Sequence, residues 1–273
     1  MSCLLIGATL TILAPAYAQE AEQTLRVCTS TKDAPYSSAD GSGFENKIAQ
    51  VIADEAGMTL DLVKIDKDAI FLERDGIAKD LCDVLIGVDE GDERLLTSDP
   101  YYRSGYAFVT REDRNFNGDK WQDLDQEGFT TIAYRYHSPA ETILKYTGRY
   151  EYNLNYQASL VDFEDRRNKY TQVPADRVVS EVASGDADIG IIFAPDAGRY
   201  VRDSRTPLKM TLITNEIERS DGVTIPLQYN QSVGVSKTKP DLLPRINQAL
   251  SDGKDRIKAI LDEEGIPTLP MDS

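Results

Sequence analysis

Acidic and aromatic residues crowd the end of one apolar run. Val84 to Val88 is unbroken, and it gives way to Asp89, Glu90, Asp92 and Glu93 before Arg94, with Asp99-Pro100-Tyr101-Tyr102 close behind. A guanidinium can clamp a ligand carboxylate by a two-point bond, provided that the acids beside it are themselves paired. A short apolar run suits a strand buried on both faces of a parallel sheet. In open α/β sheets the ligand crevice lies beyond the carboxyl ends of such strands. Asp89, Glu90, Arg94 and Tyr101 are therefore candidate cleft residues rather than ordinary loop.

The remaining reactive side chains form no catalytic set. His137, the only histidine, stands just before a helix expected from Ser138, whose first amides could hold an anion. It has no second ligand at metal spacing, so a turn role is the plainer reading. Asp113-x-Asn115-x-Asn117-Gly118 imitates the opening of a calcium loop, but Leu124 stands where a bidentate Glu is required, and a polar turn is expected instead. No nucleophile elbow, metal spacing or thiol-redox pair occurs. No catalytic residue, metal or cofactor is expected. The fourteen tyrosines gather near expected strand ends, and tyrosine suits wet cleft walls and protein interfaces. Tyr36 and Tyr134 thus join the candidate cleft set, with Phe44, His137 and Asp196.

Two alternating series of elements must position these groups. Leu25 to Cys28 reads as a strand, Gly43 to Gly57 as a helix with Phe44, Ile48, Val51 and Ile52 on one face, and Leu60 to Ile65 as the next strand. A poorer helix signal spans Asp68 to Lys79 before the buried strand at Val84. Tyr106 to Thr110 is a further strand. The second series runs from a strand at Thr130 to Tyr134 through a helix at Ser138, where Ser138, Pro139 and Glu141 match a capping box. A helix at Ala175 to Ser184 and a buried strand at Ile189 to Phe193 follow. Gln228 to Val235 reads as a return strand, and amphipathic stretches near Leu242 to Leu250 and Ile257 to Leu261 close the chain. Such alternation implies two parallel-sheet lobes, placed at residues 19–111 with 229–273, and at 112–228.

The start of the chain and its charge set the compartment and exclude some partners. Leu4 to Leu13 is mostly apolar and is followed by Ala14-Pro15-Ala16-Tyr17-Ala18. That pattern reads as a secretory signal peptide over residues 1–18, too short for a spanning helix, although no basic residue precedes the apolar run. Export leaves Cys28 and Cys82, an even count that suggests a disulfide, with two buried thiols as the alternative. With 46 acidic against 30 basic residues the net charge is −16. Such a surface repels nucleic acid and anionic lipid alike.

Taken in order, Arg26-Val27-Cys28, GFENKIAQVIADEAG, LCDVLIGV, DPYYRSGYAFV, VASGDADIGIIFAPDAGRYV and LDEEGIPTLP resemble the solute-binding-protein-like accessory proteins encoded with methanol dehydrogenases. These are similar in turn to the periplasmic solute-binding proteins of the amino-acid-binding family, and the resemblance covers nearly the whole mature chain. It implies a two-lobed α/β fold of the type II periplasmic-binding-protein kind, each lobe a mostly parallel sheet flanked by helices. It also implies a periplasmic, non-enzymatic protein, monomeric when isolated, whose partners are methanol dehydrogenase subunits. The paralogous group beside the lanthanide-dependent dehydrogenase is the near alternative, and a transporter's solute-binding component is another. Departures from the amino-acid binders bear on function. Where those place hydroxyls before the ligand-clamping Arg, this chain has Asp89 and Glu90. Where they keep an Asp for the ligand ammonium, it has Phe193, with Asp196 three residues on. Free amino-acid capture is therefore not expected, and Arg94 is expected to pair with Glu90 or Glu93.

Overall fold

A computed structural model of the chain describes residues 23–161 and 172–271. The expected export signal over residues 1–18 lies outside them. The first lobe starts with strand β1 (Thr24–Ser30), helix α1 (Phe44–Glu55) and strand β2 (Thr59–Ile65), a parallel crossover with Leu25 opposite Leu60 and Val27 opposite Leu62. The expected face of α1 is the buried one. Phe44, Ile48 and Ile52 are fully buried, contributing about 2 kcal/mol apiece by removal from water. Strand β3 (Val84–Asp89) joins the other edge of β1.

The weak helix expected over Asp68 to Lys79 is broken into short turns around a four-residue helix at Leu72–Asp75. Gly76 explains the break, because a Cβ there would lie 2.1 Å from the Cys28 sulfur. The chain must pass against that sulfur, which is bonded to Cys82 in a Cys28–Cys82 disulfide with its Cα atoms 5.4 Å apart. The bridge ties β1 to the lead-in of β3 from inside a small apolar cluster with Leu72, Ile77 and Leu85.

Strand β4 (Tyr102–Arg111) is longer than the expected Tyr106 to Thr110 and changes neighbours halfway. In the second lobe, β5 (Ile132–Tyr134), helices α2 (Pro139–Tyr146), α3 (Tyr150–Ser159) and α4 (Ala175–Ser184), strand β6 (Ile189–Phe193), helix α5 (Ala194–Arg202) and strand β7 (Leu208–Leu212) follow. Strand β8 (Gln228–Val235) returns to the first lobe, where α6 (Leu242–Asp252) and α7 (Lys254–Glu263) pack beside α1. The first half of β4 pairs with β8, Tyr102 opposite Gln231. Its second half pairs with β6, Tyr106 opposite Phe193, and with β7, Ala107 opposite Leu212. The sheet order is therefore β2-β1-β3-β8-β4-β6-β5, parallel within each lobe at β2-β1, β1-β3 and β6-β5 and antiparallel where β8 and β4 join the two halves, with helices on its faces. Separate apolar cores form on the two sides: Leu25, Phe44, Ile48 and Ile257 in one, Phe108, Ile132, Tyr134 and Ile189 in the other.

The expected capping box at Ser138 does not form. Pro139 opens α2, but Ser138 donates its hydroxyl backwards to the Arg135 carbonyl (2.7 Å), and the Glu141 carboxylate accepts from the His137 amide (2.9 Å). His137 itself takes a left-handed backbone, φ 55°, and this redirects the chain into the helix.

Candidate functional site

A cavity of about 390 Å³ opens between the lobes where β4 changes partners. Its position follows from the topology, since the carboxyl ends of β1, β3 and β6 all point at it. The size falls within the range of small-molecule sites. A broader mouth, lined by Lys32, Asp68, Arg135, His137 and Tyr200 among others, continues outward from Asp33.

Aromatic side chains form one wall. Tyr106 stands on β4 at the switch, Phe193 ends β6 directly opposite it, and Tyr229 comes from β8. Their ring centroids lie 5.6 Å (Tyr106–Phe193), 5.9 Å (Phe193–Tyr229) and 6.3 Å (Tyr106–Tyr229) apart, within the range of favourable edge-to-face contact. Carboxylates line the rest. Asp196, in the first turn of α5, pairs with Arg135 at 2.9 Å. Asp89 accepts a hydrogen bond from the Gln231 amide at 2.7 Å. Glu45, in the first turn of α1, reaches across to β3, and a Cβ on Gly87 would lie 1.7 Å from its Oε1. Gly87 has φ +70°, so both its backbone and the Glu45 carboxylate exclude a side chain there.

Glu45 and Asp33, which also lines the cavity, are electrostatically uncomfortable. Burial, with the nearby Asp33, pushes the Glu45 carboxyl well above its ordinary range. Burial and then Asp196 push Asp33 up to about 6, against the opposing pull of Arg135. A carboxyl whose folded pKa exceeds its unfolded value costs stability above the folded pKa, and the cost vanishes below the unfolded one. Asp33→Asn should therefore raise folding stability by about 2 kcal/mol at pH 7.5, with no gain near pH 3.5. Denaturant melts of the two proteins at both pH values measure it, and an equal gain at both would show that the acid's charge is not the cause.

Of the expected site residues, Tyr36, Asp89 and Asp196 line the cavity. Phe44 lies behind it in the core, its ring 4.9 Å from that of Tyr36. Tyr101 packs against the first-lobe core with its hydroxyl buried and unpartnered. Glu90 is exposed and accepts from the Asn230 amide at 2.8 Å. Arg94 is exposed and pairs with Asp92 at 2.6 Å rather than with Glu90 or Glu93, because Asp92 also accepts its backbone amide and so closes a local turn. Tyr134 is fully buried in the second-lobe core, away from the cavity. His137 lies at the mouth. Asp33, Glu45, Arg135, Tyr106 and Tyr229 were not anticipated. Glu45 looks like an ordinary first-turn acid favoured by the helix dipole, and nothing local marks the others.

A tie joins the lobes beside the cavity. Arg199 on α5 grips Glu264, which follows α7, through two hydrogen bonds of 2.7 and 2.8 Å, and Lys47 on α1 adds a third contact at 3.4 Å. Arg202 donates to the Glu263 carbonyl next to it. Burial pushes the Glu264 carboxyl up, but Arg199 and Lys47 outweigh it and hold the group below its ordinary range.

This architecture, a cleft between two lobes over strand ends, is that of the solute-binding-protein fold. The family model of the bacterial extracellular solute-binding proteins, family 3, matches residues 25–262, and the chain belongs to that family. It is 75% identical over 264 residues to Protein MoxJ of Paracoccus denitrificans, covering 97% of this chain and 95% of that protein. Among solved structures, MxaJ from Methlophaga aminisulfidivorans is 42% identical with a TM-score of 0.84, covering 90% of this chain and 100% of that one. The periplasmic binding protein XoxJ from Methylobacterium extorquens AM1 is 26% identical over the same shares, with a TM-score of 0.66. The accessory-protein resemblance seen in the sequence is thus matched by MoxJ and MxaJ along nearly the whole chain.

Proposed function

We propose that this chain is a periplasmic, non-enzymatic accessory protein that serves the assembly or activation of a PQQ-dependent methanol dehydrogenase, with lobes at residues 19–111 plus 229–273 and at 112–228. The observation that carries this reading is the likeness to MoxJ and MxaJ over nearly the full length, well above that to XoxJ. The partners are the dehydrogenase subunits. An acidic surface of net charge −16 favours contact with a basic patch, and such contact weakens as salt screens it. Among the described residues no helix is long and apolar enough to cross a membrane.

Deleting the gene in a methanol-grown host should leave the dehydrogenase subunits made but poorly assembled or poorly active, with loss of growth on methanol. Dehydrogenase activity and subunit stoichiometry in periplasmic extracts measure it. A second reading, the solute-binding component of a transporter, is favoured by the enclosed cavity. Normal dehydrogenase activity in the deletion strain, together with lost uptake of a solute, would establish that reading instead.

A further inference from the structure

The cavity contains two carboxyl groups that no described side chain or backbone group engages by a hydrogen bond. Asp33 and Glu45 line it, and among the described residues neither side chain has a hydrogen bond or an ion pair. Among the described residues no Lys or Arg lines the inner cavity. The nearest guanidinium, Arg135, stands at the mouth and is already held by Asp196. Counting Asp33, Glu45, Asp89 and Asp196 against Arg135 leaves a strong local excess of negative charge. A buried carboxyl without a partner is costly as an anion, and two in one cavity favour a ligand that brings the counter-charge in.

The aromatic wall says what kind of cation fits. Tyr106, Phe193 and Tyr229 present ring surface to the same space, and aromatic faces attract cations as well as hydrocarbon. Among the described residues no group of three or more His, Cys, Asp or Glu side chains could hold a metal ion. A bare metal ion would also leave most of about 390 Å³ unfilled. A ligand that carried its own carboxylate would meet Asp89 and Asp196 with no free basic group to receive it. The chemistry common to these facts is a positive nitrogen on an apolar body.

We propose that the inter-lobe cavity binds a small organic cation without a carboxylate, a primary alkyl- or arylalkylammonium, whose nitrogen is received by Asp33 and Glu45 and whose hydrocarbon lies against Tyr106, Phe193 and Tyr229. The inference goes beyond the accessory role and does not depend on it. The Glu45 carboxylate is held over Gly87, and Asp33 follows β1, so both acids come from the first lobe. Phe193 comes from the second, and the ligand therefore bridges the two.

The test uses the full mature chain at pH 7.5, with isothermal calorimetry and thermal melts against benzylammonium and n-butylammonium chlorides. Benzyl alcohol serves as the neutral counterpart and benzoate as the anionic one. Saturable binding is expected for the ammonium ions, with a melting temperature raised by several degrees, and none for the alcohol or benzoate. Glu45→Gln and Phe193→Ala should each weaken benzylammonium by about tenfold or more. Asp33→Asn with Glu45→Gln should abolish the response while the unliganded melting temperature stays level or rises, which separates lost binding from lost folding. Absence of saturable binding for both ammonium ions would overturn the proposal. So would benzyl alcohol binding as tightly as benzylammonium, or lysine binding more tightly than its carboxylate-free counterpart cadaverine.

Discussion

Removing the Cys28–Cys82 bridge should lower the stability of the folded chain by about 4 kcal/mol. The bridge closes a loop of 54 residues, and cross-linking that much chain removes conformational freedom mainly from the unfolded state. The folded state is prepared for it. Both sulfurs lie in a buried apolar cluster, and the absence of a side chain at Gly76 leaves room for the Cys28 sulfur. At about 2 to 4 °C per kcal/mol for a chain of this size, the melting temperature should fall by roughly 8 to 15 °C. Thermal melts with and without a phosphine reductant measure it, and the Cys28→Ser, Cys82→Ser double variant repeats it without reagent. Unchanged melting in both experiments would mean that the bridge constrains little.

The tie between the lobes should show the next largest effect. Glu264 is 2% exposed, so Arg199→Ala leaves a carboxylate out of water with only Lys47 near it. Breaking a buried pair from one side costs about 3 to 5 kcal/mol, and Lys47 should keep the loss near the lower figure. The pH dependence has a definite sign. Because the Glu264 carboxyl is held below its ordinary range in the folded protein, its contribution is fully present above the unfolded pKa of about 4.5 and is lost as the pH falls through the folded value. The stability gap between the parent protein and Arg199→Ala should therefore be wide at pH 7 and narrow on acidification below pH 4. Lysine at 199 should recover only part of it, since an ammonium cannot make the two-point bond. A gap independent of pH would assign the loss to packing of the arginine stem instead.

The elements read most securely from the sequence are those whose burial is one-sided or complete. Helix α1 shows its apolar face at helical spacing, and β3 and β6 are continuous apolar runs because helices cover both sides of the sheet. Helix α3 carries no signal in the sequence, for a physical reason. Its buried positions are Asn153 and Gln157, whose amides bond the backbone of β5 at Ile132 and Tyr134. A helix that caps a sheet edge with polar groups carries no apolar stripe. Strand β7 and helix α5 were likewise passed over, the first because it is short and half-buried, the second because it follows β6 with only Pro195 to mark its first turn.

By itself the sequence determined the two series of elements and the choice between bridge and thiols for Cys28 and Cys82. Each of these depends on residue type, local spacing or total charge. Only the tertiary structure decided which acids share the cleft. Asp33, Glu45, Asp89 and Asp196 come from four separate segments, a loop, a strand end and two helix starts, and Arg94 stays outside, paired with its own neighbour Asp92. Where β4 exchanges β8 for β6, it sets Tyr106 beside Phe193 and Tyr229, residues far apart in the chain. The tie from Arg199 to Glu264 spans 65 positions. Local patterns follow from a residue's near neighbours, whereas the chemistry of a cleft follows from which strand ends the sheet order brings together.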